Sequence, residues 1–427
     1  MVMIRIYKHI FPFVLLALAL HSCRESDDMS QDGVVTIKIA HWWSDAKPLW
    51  DSVITEFEAT HPNIRVEQEV MSFNVMKDKV LTQSAAGEHV GDLLPLEDWF
   101  AQELIERKFF TDLSGHIARD FDSADYYPIA LGSFYNGENL QAWPVALITY
   151  PLVYNKAIFD KAGLPYPDTT WTFETFLQIA KQLTQDSDGD GKADQYGFML
   201  DNSGGFDGTI YSLGGAILNE NLSKSAFAEP RTVEALKFWT GLVLEHGVAP
   251  QNASILGGSS SGGSMRPFET GRFAMGIISP HAISPNTSFP WDITMPPKGS
   301  AGRKYLRGSA AFGIPRTSKH PDEAWEFIRW IVKEMPPKYG AQIFPGTVPN
   351  SRRIAESTDY LNAQPVYNRQ ILIEMIRNFS FSIWRTKWLE FRDNGFLPEV
   401  DLMVSGEKSV EDGANDADKR INEVLAN

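Results

Sequence analysis

The sequence predicts an α/β fold of more than one domain, and three observations lead there. The chain opens strand, helix, strand, the unit from which parallel sheets are built. Helical and extended stretches then alternate to the end without an internal repeat. At 427 residues and 43% hydrophobic, the chain has length for two or three domains and apolar material for sizeable cores.

The elements follow in order. "VVTIKIAHWW" alternates and is β-branched, so it reads as a strand. In "DAKPLWDSVITEFEATHP", Leu49, Trp50, Val53, Ile54 and Phe57 recur at helical spacing, with Asp45 as candidate cap, Pro48 in the first turn and Pro62 as the stop. "NIRVEQEV" returns as a strand. "MKDKVLTQSAAGE" is expected to be helical, "GDLLPL" a short strand and "DWFAQELIERKFF" a helix. "QAWPVALITYPLVYNKAIFDKAG" is extended, then helical. "WTFETFLQIAKQLTQ" is amphipathic, capped by Thr170 or Thr172. "TVEALKFWTGLVLEHG" and "PDEAWEFIRWIVKEM" are further helices, "GRFAMGIIS", "WDITMPP" and "AAFGIP" short strands, and the C-terminal stretch is mostly helical.

Composition narrows the class. Thirty-nine basic against 54 acidic residues leave a net charge of −15, which repels nucleic acid and anionic lipid surfaces, so no nucleic-acid partner is expected. Twelve tryptophans offer flat apolar faces of the kind that pack over sugar rings, although most tryptophans belong to cores.

The single cysteine, Cys23, closes an N-terminal leader. Arg5 and Lys8 precede an apolar run from Ile10 to Leu20, too short to span a bilayer but suited to a signal peptide. Leu20-His21-Ser22-Cys23 resembles the lipobox of bacterial lipoproteins, which predicts a signal peptide over 1–22 and a lipid-modified Cys23 that anchors the mature chain. Residues 23–33 are polar and aperiodic, a tether before a fold that starts near Val34.

"QDSDGDGKADQYGF" reads like a calcium loop. Counting Asp186 as position one, Asp188, Asp190, the Lys192 carbonyl and Asp194 fall at positions three, five, seven and nine. Position twelve is Gly197 instead of the bidentate Glu, so this is no EF-hand. A shorter structural calcium loop and a solvated turn both remain open; no other cofactor is expected.

Several ordered pieces resemble the extracellular solute-binding proteins of ABC importers, the family that includes maltose-binding protein: "FEATHPNIRVE" (57–67), "KVLTQSAAGEHVGDLL" (79–94), "LVYNKAIFDKAGL" (152–164), "TTWTFETFLQIAKQLT" (169–184), "FETGRFAMGI" (268–277), "PPKG" (296–299) and "SKHPDEAWEFIRWI" (318–331). The resemblance implies a periplasmic-binding-protein type II-like fold, two α/β lobes joined by a multi-strand hinge with ligand between them. It places lobe one at 34–147 plus 294–338 and lobe two at 149–291 plus 341–427, with crossings near Trp143–Tyr150, Phe289–Met295 and Tyr339–Phe344. It implies a monomer outside the cytoplasm that closes on a sugar and delivers it to permease subunits served by a cytoplasmic ATPase. Relatives carry a Gly/Asp-rich turn at the aspartate loop, away from the cleft.

In such a fold the cleft is lined by loops at strand ends. These offer His41, Trp42, Trp43 and Asp45 after the first strand. At strand period two, His41 and Trp43 share a face and Trp42 takes the other, so at least one tryptophan is expected in the core. Glu97, Asp98 and Trp99 combine carboxylates for hydroxyls with an aromatic face, although acids are also favoured at a helix N-terminus. Tyr150 flanks the first crossing. Phe206 and Asp207 sit in a Gly-rich loop, and His281 stands where many relatives carry Trp. Arg307 precedes a strand, and Trp384 and Trp388 are four apart, one expected in the cleft and one in the core.

An enzyme is not expected. "GSSSG" (258–262) matches a nucleophile pattern but lies in Gly/Ser low complexity, without the strand and helix that a nucleophile elbow needs. Glu97 and Asp98 are adjacent, a poor pair for glycoside hydrolysis. A glycerol-phosphate or other polyol binder is the alternative of the same family. A lipid-anchored glycoside hydrolase or a calcium-dependent adhesin fits less well.

Overall fold

A computed structural model describes residues 33–43, 46–201, 204–250, 267–283, 287–343, 346–383 and 387–426. Strand β1 (Val35–His41) pairs in parallel with β2 (Ile64–Val70) across helix α1 (Lys47–Thr60). Pro48 lies in the first turn of α1, and its Trp50, Val53, Ile54 and Phe57 face the core, as the spacing predicted. Helix α2 (Phe73–Ala86) leads to β3 (Leu94–Glu97), which joins β1 through a parallel Ile39–Leu93 bridge and runs straight into α3 (Asp98–Glu106). Strand β4 (Trp143–Ile148) ends the first pass through this sheet.

The second sheet begins after three intervening residues with β5 (Leu152–Asn155). Asn155 then caps α4 (Lys156–Ala162), its Oδ1 accepting the N–H groups of Ala157 at 3.0 Å and Ile158 at 3.4 Å. Thr172 caps α5 (Phe173–Leu183) in the same way. Strand β6 (Tyr196–Met199), helices α6 (Gly204–Ser212) and α7 (Pro230–Leu244), and strands β7 (Phe273–Ile277) and β8 (Trp291–Thr294) complete this body, in the strand order β8-β5-β7-β6.

After β9 (Tyr305–Leu306), β10 (Gly308–Gly313) returns to the first sheet between β3 and β4. Helix α8 (Pro321–Arg329) packs against β1, and β11 (Val348–Pro349) adds to the far side of β4. Helix α9 (Gln370–Asn378), β12 (Ser380–Phe381), α10 (Leu397–Ser405) and α11 (Val410–Ala426) finish the chain, with β12 beside β9. Among the described residues, no helix is long and apolar enough to cross a membrane.

Each sheet has its own core. Ile37, Phe57, Leu104 and Phe327 lie in the first; Phe159, Phe176, Trp239 and Phe396 lie in the second. A third cluster sits at the crossings and draws on both, with Leu147 and Val348 packed among Val153, Ile293 and Ile373.

The pairing moves two expected crossings. β8 is hydrogen-bonded to β5, and β9 to β12, so 294–306 belongs with the second body and the chain crosses at Arg307, not at 289–295. The third also comes later than 339–344, because Tyr339, Ile343 and Ile354 are buried in the first core and β11 is paired to β4. The reason is local. Both stretches are short extended segments whose sheet is chosen by long-range pairing.

Candidate ligand-binding cleft

The loop after β1 is divided by strand alternation. His41 is 1% exposed; its Nδ1 accepts the Trp43 N–H at 3.2 Å, which leaves Nε2 to donate to Gln68 Oε1 at 3.0 Å. Burial holds its pKa below the usual histidine value. Trp43 stacks on Trp50 with centroids 5.2 Å apart and meets Phe312 edge-on. Both residues therefore serve the first core, which corrects the expectation that they touch ligand. Trp42 points the other way, edge-on to Phe73 at 5.3 Å, and Phe73 contacts Trp99 at 5.1 Å. Trp42, Phe73 and Trp99 form one aromatic line.

The β3–α3 junction supplies the acids. Glu97 ends the strand and accepts the indole N–H of Trp99; burial raises its pKa. Asp98 opens the helix and is fully buried. Its Oδ1 accepts the Trp99 N–H at 3.1 Å, and its Oδ2 lies 3.3 Å from Ser133 Oγ and 3.7 Å from Arg307 Nη1. Burial outweighs the Arg307 charge and pushes the Asp98 carboxyl up to about 8. Arg307 is itself buried at the second crossing, and burial lowers its pKa.

The second body faces this junction. Tyr150 lies against α6, where a Cβ on Gly204 would stand 2.3 Å from its ring, so only glycine allows the contact. Burial raises the Tyr150 pKa, and Glu97, Asp201 and Asp207 raise it further while Arg392 opposes them. Glu97 comes from one body and Asp201, Asp207 and Arg392 from the other, so one hydroxyl feels both walls. Asp207 is 5% exposed and burial pushes it up to about 8, with Arg392 pulling down and Asp201 up. Ser133 Oγ meets Ser382 Oγ at 3.4 Å, and Trp99 packs against both cores. Among the described residues, Asp207 Oδ1, Thr149 Oγ1 and Ser309 Oγ are buried with no hydrogen-bond partner. Two opposed walls thus carry aromatic faces, carboxylates and buried polar atoms whose bonding is incomplete.

A profile of the bacterial extracellular solute-binding protein family matches residues 43–335, well over half of the chain. The chain belongs to that family. A mannitol-binding protein of Pseudomonas aeruginosa is 26% identical to this solute-binding protein over 338 residues, 72% of each chain. Among solved structures, an ABC substrate-binding protein from Listeria monocytogenes in complex with cycloalternan aligns with a TM-score of 0.78 at 23% identity, covering 92% of this chain and 99% of that one. A solute-binding protein from Thermotoga lettingae bound with α-D-tagatose aligns at 0.75 and 21% identity, covering 91% and 99%. The fold is that of the type II periplasmic binding proteins, and the two bodies are its lobes.

Other expected contacts of this solute-binding protein fall elsewhere. Phe206 is fully buried among Phe227, Trp239 and Phe396, because on α6 it faces the lobe-two core while Asp207 faces the other way. Trp388 packs on Phe391 and Phe396 in the same core. His281 is exposed after β7, with its Nδ1 2.8 Å from Ser279 Oγ. Asp45, Trp384, Cys23 with the leader, and the "GSSSG" segment lie outside the described residues.

In the aspartate loop, ligand atoms of Asp186, Asp188 and Asp194 come within 4.8 Å of one another. Asp190 is not in that group, and its Oδ1 accepts the Lys192 N–H at 2.8 Å. Asp186 accepts N–H groups from Gly189 and Gly191, which lower its pKa.

Sequence reasoning missed Thr149, Ser309, Asp201 and Arg392. Thr149 follows one crossing strand and Ser309 lies near the start of the other, a signal open to a reader who knew where the crossings were. Arg392 lies in a helical stretch without any local mark.

Proposed function

We propose that this solute-binding protein captures a sugar, a mono- or oligosaccharide, between its lobes and delivers it to the permease subunits of an ABC importer. It works as a monomer, held by a lipid on Cys23 to the outer side of a bacterial membrane, and it makes and breaks no bond in its ligand. The observation that carries the reading is the set of buried, incompletely bonded polar atoms, Asp207 Oδ1 on α6 with Thr149 Oγ1 and Ser309 Oγ at the two crossing strands, together with the Trp42–Phe73–Trp99 aromatic line. Each such buried atom costs roughly 1–3 kcal/mol while its bonding is incomplete, and sugar hydroxyls are matched donors and acceptors. Relatives named for mannitol, cycloalternan and tagatose support the class.

Glycerol 3-phosphate fits less well. Arg307 faces Asp98 at 3.7 Å and Arg392 faces Asp393 at 3.3 Å, so both cations are already engaged by carboxylates of the protein. Closure follows from linkage: a ligand that bonds to both lobes favours the closed form. A structural calcium on Asp186, Asp188 and Asp194 is a separate part of the proposal and lies outside the cleft.

Thermal unfolding against a panel of sugars, polyols and glycerol phosphates tests the reading. A saccharide is expected to raise the midpoint by mass action. If a phosphorylated glycerol raises it and no saccharide does, the reading fails. Turnover of an oligosaccharide would rule out pure binding.

A further inference from the structure

A cavity of about 650 Å³ lies in lobe two, away from the cleft. Strand β5 leads away from Tyr150 for 4 residues, or roughly 13 Å, and its last residue, Asn155, pairs with Trp291 on the edge strand β8. The segment ahead of α9 folds over this end of β8. Trp291 stacks on Tyr367 with centroids 4.9 Å apart, and Asp292 Oδ1 accepts the Asn368 N–H at 2.9 Å. The cavity opens between these two segments and Lys156, and its size is that of a small-molecule site. Its wall carries two cations. Arg369 is 2% exposed; its Nη1 donates to the Ala363 carbonyl at 2.6 Å and its guanidinium lies 4.1 Å from the Tyr367 ring centroid. Arg369 Nε and Tyr367 Oη are both buried with no hydrogen-bond partner. Lys156 is half-buried, with Nζ 5.1 Å from the Tyr166 ring centroid, and among the described residues neither cation forms an ion pair. Asp292 is the only carboxylate on the wall among the described residues, and its Oδ1 is already bonded to the N–H groups of Ile293 and Asn368. No side chain caps α9, whose first residue Gln370 lines the cavity, so the helix N-terminus adds positive potential.

We propose that this cavity is a second binding site, for a sugar acid, with the carboxylate received by Arg369 and Lys156 and the hydroxyls by the exposed amides of Asn362 and Gln370. The site is separate from the cleft and does not rest on the sugar reading above. A buried guanidinium nitrogen without a partner is costly, and a carboxylate is its matched acceptor. Amide side chains both donate and accept, which suits hydroxyls. A neutral hexose lacks the charge. Acetate and inorganic phosphate carry charge without the hydroxylated body that the amides meet.

Titrations at pH 7 with D-glucuronate, D-galacturonate and D-gluconate, against glucose, galactose, acetate and inorganic phosphate, test this. Affinity is read from the slowing of amide hydrogen exchange over 361–370, so that binding in the cleft is not counted. One sugar acid is expected to bind there at least about tenfold more tightly than its parent hexose, as charge-assisted bonds exceed neutral ones by that order. Lys156→Met and Arg369→Gln are each expected to weaken it by a similar factor. Lys156 is half-buried, so its variant serves if Arg369→Gln loses its cooperative unfolding transition. If no sugar acid slows exchange over 361–370, or if its affinity is unchanged in Lys156→Met, the site is overturned while the sugar reading of the cleft stands. If the parent hexose binds there as tightly, the role of the carboxylate falls. If acetate or phosphate does, the cavity is a simple anion site and the sugar-acid assignment is overturned.

Discussion

Replacing Asp207 with Asn should change how stability depends on pH. Asp207 is 5% exposed, and its carboxyl is pushed from an ordinary 3.8 up to about 8, chiefly by burial. The folded state therefore holds the proton more tightly than the unfolded state does. Its contribution to stability is whole below about pH 4, and it is lost progressively as the pH climbs to about 8. Across that window each pH unit costs the folded form about 1.4 kcal/mol from this one group, or roughly 3 kcal/mol between pH 5 and pH 7. Asn keeps the shape and cannot ionise. Urea unfolding of the ligand-free protein at pH 5, 6 and 7 should show a falling free energy in the native protein, and a slope shallower by about 1 kcal/mol per pH unit in Asp207→Asn. Asp98, also at about 8, keeps some slope in both proteins. Equal slopes in the two proteins would refute the claim that Asp207 is buried as a neutral acid.

Other outcomes follow from contacts already described. Trp43→Ala should lower unfolding stability by roughly 3–5 kcal/mol through its lost stacking on Trp50, whereas Trp42→Ala should weaken sugar binding in calorimetry with a smaller loss of stability. Gly204→Ala places a Cβ 2.3 Å from the Tyr150 ring, so it should cost about 1–3 kcal/mol in denaturant and reduce ligand affinity; an unperturbed variant would show that Tyr150 moves freely. Millimolar calcium should raise the thermal midpoint of chelator-treated protein and do so much less in Asp186→Asn; no difference between the two proteins would leave the loop a solvated turn. Cys23→Ser should move the protein from the membrane fraction to the soluble fraction, and continued membrane retention would count against the anchor.

Much of the fold was legible because its signals are local. The 3.6-residue rhythm of Trp50, Val53, Ile54 and Phe57, and the capping Thr172, lie within single elements. The strand alternation that separated Trp42 from His41 and Trp43 was readable too, although it left open which face was the core. Gln68, 27 residues from His41, answers that in space. Phe206 and Asp207 are neighbours in one Gly-rich stretch, yet helical geometry turns Phe206 into the lobe-two core and Asp207 away from it. That stretch read as a loop because glycines are poor helix formers. They are tolerated at Gly204, Gly205 and Gly208 because Tyr150, Ile277 and Tyr305 press against them. Arg392 reaches Asp207 across 185 positions, a proximity that no periodicity in the sequence encodes.

Two of the connections between the lobes lie side by side. Gly308 on the returning strand pairs with Ile148 on the departing one, and a Cβ on Gly308 would meet the Ile148 side chain at 3.3 Å. Two hydrogen-bonded strands resist sliding along their length but bend and twist together. Opening should then be confined to nearly one coordinate, whatever solute is in the cleft. A single distance between two labels, one on α1 and one on α7, should therefore report occupancy without labelling the solute.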